Sequence, residues 1–208
     1  MALTDPQDAV EYYDQDAPAF AQRYDGVTFE SVHADVASWL PAAGAAVLDV
    51  GAGSGRDARA LAMRGLRVVA VEPSAAFRQL AQGSKDHGVE WIDDRLPDLS
   101  SLRAEDRRFA FILCSAVLML LPQHLLSPSF GAMAQLLETG GILAINLRSP
   151  VSGEPAELVY AHGDEQILAA AREAGLGLIR QNVASDALGR ESHQWRAFIF
   201  STTEGLAS

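Results

Sequence analysis

Residues 47–62, VLDVGAGSGRDARALA, constrain what this chain can fold into more than any other stretch. Val47, Leu48 and Val50 form a short apolar run, interrupted by Asp49, that passes directly into Gly51, Gly53 and Gly55. An apolar run ending in glycines reads as a buried strand closing in a tight turn. Beyond the turn, Ala58, Leu61 and Ala62 recur at helical spacing with Arg56, Asp57 and Arg59 on the other side, so a helix is expected from near Ser54. Glycines at a strand-to-helix junction let a ligand approach the backbone and leave the first helical N–H groups open to it.

The rest of the chain repeats the alternation of strand and helix. Apolar runs at 66–71, 89–92, 109–114 and 142–147 predict four more strands, separated by helical patterns at 75–82 and 129–137. A helix at 164–174, stopped by Gly175, precedes strands at 176–183 and 194–202 joined by a turn at 185–190, the pattern of an antiparallel hairpin. Before the first strand lie two helical segments, 8–23 with a break at Pro18 and 27–40 ending at Pro41. The expectation is one α/β domain over 1–208, with 1–43 as a helical cap. Residues 148–160, with Pro150, Gly153 and Pro155, have the composition of a substrate lid or of a plain connection.

Glu72 ends the second strand about twenty residues after the glycine loop, placed to accept both hydrogen bonds of a ribose diol. That feature serves two cofactor classes, and the glycine spacing separates them. A dinucleotide fingerprint needs glycine at the sixth position from Gly51, which here is Arg56. The spacing is G-x-G-x-G, with Asp49 two residues before it. This resembles the first motif of the class I S-adenosylmethionine-dependent methyltransferases.

Further strings fit the same resemblance in the same order. YYDQDAPAFAQRYDGV resembles the segment preceding the first motif, where a tyrosine near the end helps hold the cofactor; Tyr24 takes that place. DDRLPDL resembles the third cofactor motif, in which an acidic residue meets the adenine amine. Asp93 and Asp94 both qualify, the Leu-Pro-Asp-Leu pattern favouring Asp94 with Arg95 as backbone donor. FAFILCSAVLMLLP resembles the fourth motif, with Ala110 where an aspartate is usual and Leu120 where many relatives place a histidine. LLETGGILAINLR resembles the glycine turn and fifth strand.

The resemblance implies a Rossmann-like, doubly wound, seven-stranded sheet, mostly parallel with an antiparallel C-terminal edge hairpin and helices on both faces. It implies S-adenosylmethionine as cofactor and a small-molecule methyl acceptor. Its cofactor set is Tyr24, Asp49, Gly51, Ala52, Gly53, Ser54, Gly55, Arg56, Asp57, Glu72, Pro73, Asp93, Asp94, Arg95, Leu96, Cys114, Ser115 and Ala116. No catalytic residue stands out. His124 reads as a surface or capping histidine, and Arg190, His193 and Trp195 gather near the last turn, facing either a substrate or the sheet edge. The competing functions are a nucleoside-binding or regulatory domain without turnover and, further off, an NAD-dependent oxidoreductase.

Composition narrows the partners. A net charge of −11 opposes a polyanionic partner, so nucleic acid is not expected, and Arg56, Arg59, Arg64 and Arg67 read as a solvated helix face. No apolar run approaches the ~20 residues of a membrane span, and the acidic N-terminus lacks a signal-peptide pattern, so a cytoplasmic protein is expected. Cys114 stands alone, which leaves no cysteine-based metal cluster and reads as a small buried residue.

Overall fold

The computed structural model describes residues 6–83, 88–155 and 158–202. Seven strands form one sheet in the order β3-β2-β1-β4-β5-β7-β6. They are β1 (Ala46–Val50), β2 (Arg67–Val71), β3 (Glu90–Ile92), β4 (Phe109–Ser115), β5 (Leu137–Arg148), β6 (Leu176–Ser185) and β7 (Gln194–Thr202). The first five run parallel, and β7 lies antiparallel between β5 and β6. The chain leaves β1 outward on one side to β2 and β3, then returns to β4 on the other. That reversal makes the carboxyl ends of β1 and β4 the natural crevice for a ligand.

Along β1 the side chains alternate between two cores, as a pleated strand requires. Leu48 and Val50 face Ile112, Leu143, Phe198 and the helices α6 (Ser100–Ala104), α7 (Leu126–Leu136) and α8 (Asp164–Glu173). Val47 faces Phe111, Leu113 and, across the sheet face, Ala58 and Leu61 of α4 (Arg56–Met63). Asp49 shares the α4 side of the strand, which puts a carboxylate inside a core. Leu61 is fully buried, worth about 2 kcal/mol of apolar transfer. α5 (Ala75–Gly83) follows β2.

The cap is less helical than the sequence suggested. α1 (Pro6–Asp14) and α2 (Ala17–Asp25) form as expected, with the break at residues 15–16 and Pro18 in the first turn of α2, where its missing N–H costs nothing. Residues 27–40, by contrast, hold only α3 (Phe29–Val32), which Thr28 and Ser31 close in a capping box, and a 3-10 turn at Ala37–Trp39. Tertiary packing of Phe29 and Val36 overrides the helical period there. The expected turn at 139–141 is instead an irregular part of β5, whose pairing with β4 shifts register between Phe109 and Phe111. Residues 156 and 157 of the expected lid lie outside the described residues.

The four arginines expected on one solvated helix face do not share one: Arg56 and Arg59 lie on α4, Arg64 caps its end and Arg67 begins β2. Arg56 Nη1 donates to Tyr24 O at 3.3 Å, Arg59 Nη1 to Ser54 O at 2.6 Å, and Arg59 Nη2 reaches Asp25 at 3.2 Å. Arg64 pairs with Glu30, and Arg67 Nε donates to Gly44 O. Three of the four tie α4 to the cap, which uses their charge locally instead of exposing it.

Candidate active site

The crevice at the strand ends is a cavity of about 280 Å³, roofed by the cap and floored by the glycine loop. Gly51 takes φ +70°, and a Cβ there would lie 2.3 Å from Val117 Cγ2, so only glycine lets the loop pass under the segment after β4. Gly53, at φ +53°, has open space where a side chain would stand. This is room at the cavity floor for a ligand to meet backbone.

Glu72 is pinned there. Its two carboxylate oxygens accept from Gly53 N and Ser74 N, each at 2.8 Å, which fixes its remaining lone pairs at the cavity wall. Burial pushes its pKa up, with the two N–H donors pulling the other way. Asp49 is in a harsher setting. It is 2% exposed, its Oδ2 has no hydrogen-bond partner among the described residues, and it lines the same cavity. Burial, then repulsion from Asp57 and Glu72, holds its carboxyl well above the usual carboxylate range. A buried acceptor left unpaired costs about 1–3 kcal/mol, so this atom is matched to a donor or cation that a ligand brings.

Asp57, expected on the outer side of α4, is instead buried in its first turn. It accepts from Arg56 Nε at 2.8 Å and Nη2 at 2.6 Å, and from His33 Nε2 at 2.9 Å. Burial opposes its charge, but His33 and Arg56 outweigh burial and hold it well below the usual range. His33, which also lines the cavity, went unread because a lone histidine in the cap carries no local pattern.

Of the expected cofactor residues, Tyr24, Asp49, Gly51, Ala52, Gly53, Ser54, Arg56, Asp57, Glu72, Pro73, Arg95, Leu96, Ser115 and Ala116 line this cavity. Four do not. Gly55 lies under the loop, where a Cβ would meet the Trp91 ring at 2.9 Å. Asp93 is exposed and pairs with Arg78 at 2.7 Å. Asp94 is turned toward α6, its Oδ2 accepting from Ser101 N and Leu102 N and its Oδ1 from Arg95 N. Cys114 points into the core with burial pushing its thiol up, so it is neither a cavity residue nor a nucleophile.

The other end of the cavity is built by residues after β4 and β5 and in the β6–β7 turn. Arg190 and Trp195 line it, and His193 does not. His124 is exposed on a 3-10 turn outside it. Asn146, Arg148 and Tyr13 join Tyr24 there. Tyr13 is raised well above the usual phenol range, first by burial and then by Tyr24, so it serves as a neutral hydroxyl. The position after β4 where a base was sought holds Leu120, in a 3-10 turn at Leu118–Leu120 with Met119. His162 holds this turn from outside: its Nε2–H faces Leu118 O at 3.2 Å and Leu121 O at 3.0 Å.

Residues 47–141 match the family model described as a methyltransferase domain. This stretch of the chain is thus similar to a methyltransferase domain, and the resemblance of its motifs to the class I S-adenosylmethionine-dependent methyltransferases falls within it. The match begins on β1 and spans the glycine loop, Glu72 and the segment after β4, the parts that build the cavity floor. Solved structures share the fold. A TehB-like S-adenosylmethionine-dependent methyltransferase from Corynebacterium glutamicum is 18% identical over 90% of this chain and 98% of its own, with a TM-score of 0.68. The magnesium protoporphyrin IX methyltransferase of Synechocystis, solved with S-adenosylhomocysteine, is 18% identical over 96% of this chain and 100% of its own length, at 0.72. The [4+2]-cyclase SpnF is 16% identical over 97% of both chains, at 0.71. At such identities these likenesses speak for the fold alone. No curated protein matches the sequence. Among the described residues no helix is long and apolar enough to cross a membrane, and no cluster of three or more metal-ligating side chains is present.

Proposed function

We propose that this chain moves a methyl group from S-adenosylmethionine to a small-molecule acceptor held in the roofed cavity. The observation that carries the reading is the cavity floor: open backbone at Gly53, the doubly pinned Glu72 carboxylate and the unpaired Asp49 oxygen lie along one wall. These fit a nucleoside with a cationic tail. Glu72 offers its lone pairs to a ribose diol, and Asp49 meets the cationic amino-acid end. Tyr24 closes over the loop from the cap.

Bound S-adenosylmethionine supplies an electrophilic methyl group on a sulfonium. The protein's own work is then alignment and exclusion of water. Met119, Leu120 and Leu121 present apolar surface beside the strand ends, and the cap, tied down by Arg56 to Tyr24 O and Ser54 to Asp25 Oδ1 at 2.7 Å, covers the opening. Met119, Leu120 and Leu121 remove no proton, and His33, the histidine lining the cavity, is committed to Asp57, which favours an acceptor that arrives ionised. A cavity of about 280 Å³ favours a small acceptor, and the net charge of −11 favours a partner other than nucleic acid. A cytoplasmic setting agrees with this chemistry.

The test is transfer of label from methyl-labelled S-adenosylmethionine into the small-molecule fraction of a metabolite extract. Label appearing with the wild-type protein and lost with Glu72→Ala supports the reading. A second reading, nucleoside binding without methyl transfer, rests on Leu120 standing where a base was sought and on a [4+2]-cyclase sharing this fold. It predicts tight cofactor binding with no label moved under any condition.

A further inference from the structure

Asn146 sits near the end of β5, paired in register with Ser115 at the end of β4, the two strand ends that meet at the crevice. Its Oδ1 accepts from Ala116 N at 2.9 Å and from Ser115 Oγ at 3.0 Å. A backbone N–H can donate only to the amide oxygen, so these contacts fix which way the amide lies. Both acceptor sites are consumed by neighbours, and the Nδ2 donor is what Asn146 offers the cavity it lines.

Two residues on, Arg148 also lines the cavity and is 6% exposed. Its Nη1 donates to Glu154 at 2.9 Å and to Ser149 O at 3.0 Å, its Nη2 pairs with the other Glu154 oxygen, and its own N–H meets Met119 Sδ at 3.5 Å. The guanidinium is thus held in one place by contacts that do not depend on a ligand. Arg190, locked by Asp186 through Nε at 2.9 Å and Nη2 at 2.6 Å, brings a second guanidinium to the same wall. A fixed amide donor and two guanidiniums, each already paired with a carboxylate, lie beside strand ends where the neighbouring side chains, Met119 and Leu120, take up no proton.

We propose, resting on the methyl-transfer reading, that the acceptor is a small molecule bound through an ionised oxygen, a carboxylate or phenolate. Asn146 Nδ2 donates to that oxygen, and Arg148, held by Glu154, adds a charge-assisted donor through its remaining N–H groups. The acceptor oxygen forms a bond to the methyl carbon while the carbon–sulfur bond breaks, its electron pair returning to sulfur. No proton moves and no base is needed. A protonated amine gains nothing from the Asn146 donor.

The test uses the full chain saturated with S-adenosylhomocysteine, titrated with benzoate, benzamide and 4-nitrophenol. Benzoate is expected to bind at least about tenfold tighter than benzamide, as a hydrogen bond to a charged group allows. Alternatively or in addition, bound 4-nitrophenol ionises at a lower pH than the free phenol, read from the colour of its anion. The first result marks a carboxylate acceptor and the second a phenolate. Asn146→Asp keeps an acceptor for Ser115 and Ala116 and replaces the donor, so either preference should vanish while S-adenosylhomocysteine binding persists. If that variant loses S-adenosylhomocysteine as well, Arg148→Gln carries the comparison, with the same loss expected. Equal binding of benzoate and benzamide with an unshifted phenol, failure of both anions to bind, or an undiminished preference in the variants overturns the proposal. Failure of the wild-type protein to bind S-adenosylhomocysteine overturns the methyl-transfer reading beneath it.

Discussion

His33 Nε2 donates to Asp57 Oδ2 at 2.9 Å, joining the N-terminal cap to the first turn of α4 through two buried side chains. This contact ties the cap that roofs the cavity to the helix that follows its floor, because the same Asp57 carboxylate holds Arg56, which in turn reaches Tyr24 O. Asp57→Ala should lower unfolding free energy by about 3–5 kcal/mol, the cost of stranding a buried cation, and His33→Ala by about 1–3 kcal/mol. Urea denaturation checks both. The folded pKa of Asp57 lies below its unfolded value, so its contribution is present above about pH 4 and is lost as pH falls through the depressed folded value.

Asp49 carries the opposite sign. Its folded pKa is raised, so the protein is favoured with this carboxyl protonated, and stability is lost as pH climbs from about 4 toward the raised value. Asp49→Asn should therefore stabilise the ligand-free protein at pH 8, by on the order of 1 kcal/mol, while weakening cofactor binding. Thermal melts at pH 5 and 8 with and without ligand show it; a variant less stable than wild type at pH 8 would contradict the assignment.

His162 stands outside the cavity and steadies the turn that lines it. Since Nε2 must donate to two carbonyls, and burial lowers the ring's pKa, the neutral ring is the folded form. Its contribution is present above the unfolded value near about 6.5 and falls away as pH drops through the lower folded value. His162→Ala should cost about 1–3 kcal/mol and flatten the pH dependence of stability between 7 and 5, measured by denaturant titration. An unchanged pH profile would show that another group titrates there.

Sequence legibility followed the range of each interaction. The glycine loop, Glu72 and the sheet were readable because strand and turn signals are local, and β7 fell on the expected residues, Gln194–Thr202. Asp94 accepts from the N–H groups of Ser101 and Leu102, contacts that its motif position does not announce because they depend on which way one side chain turns. Asp57 looked solvent-facing because helical periodicity treats a charged residue as outward, and its partner His33 is 24 residues away. Asn146 passed unread inside an apolar strand pattern, and Arg148 at the head of the irregular segment after it; their place at the cavity depends on β4 lying alongside, which no local spacing reveals.

The most direct measurement is calorimetric titration of the protein with S-adenosylmethionine, S-adenosylhomocysteine and NAD, in parallel with Glu72→Ala. Both sulfur nucleosides should bind with micromolar dissociation constants, NAD should not, and the variant should bind them at least about tenfold more weakly, the loss expected when charge-assisted hydrogen bonds to a ribose diol are removed. Binding of NAD alone, or equal affinity in Glu72→Ala, would contradict the account.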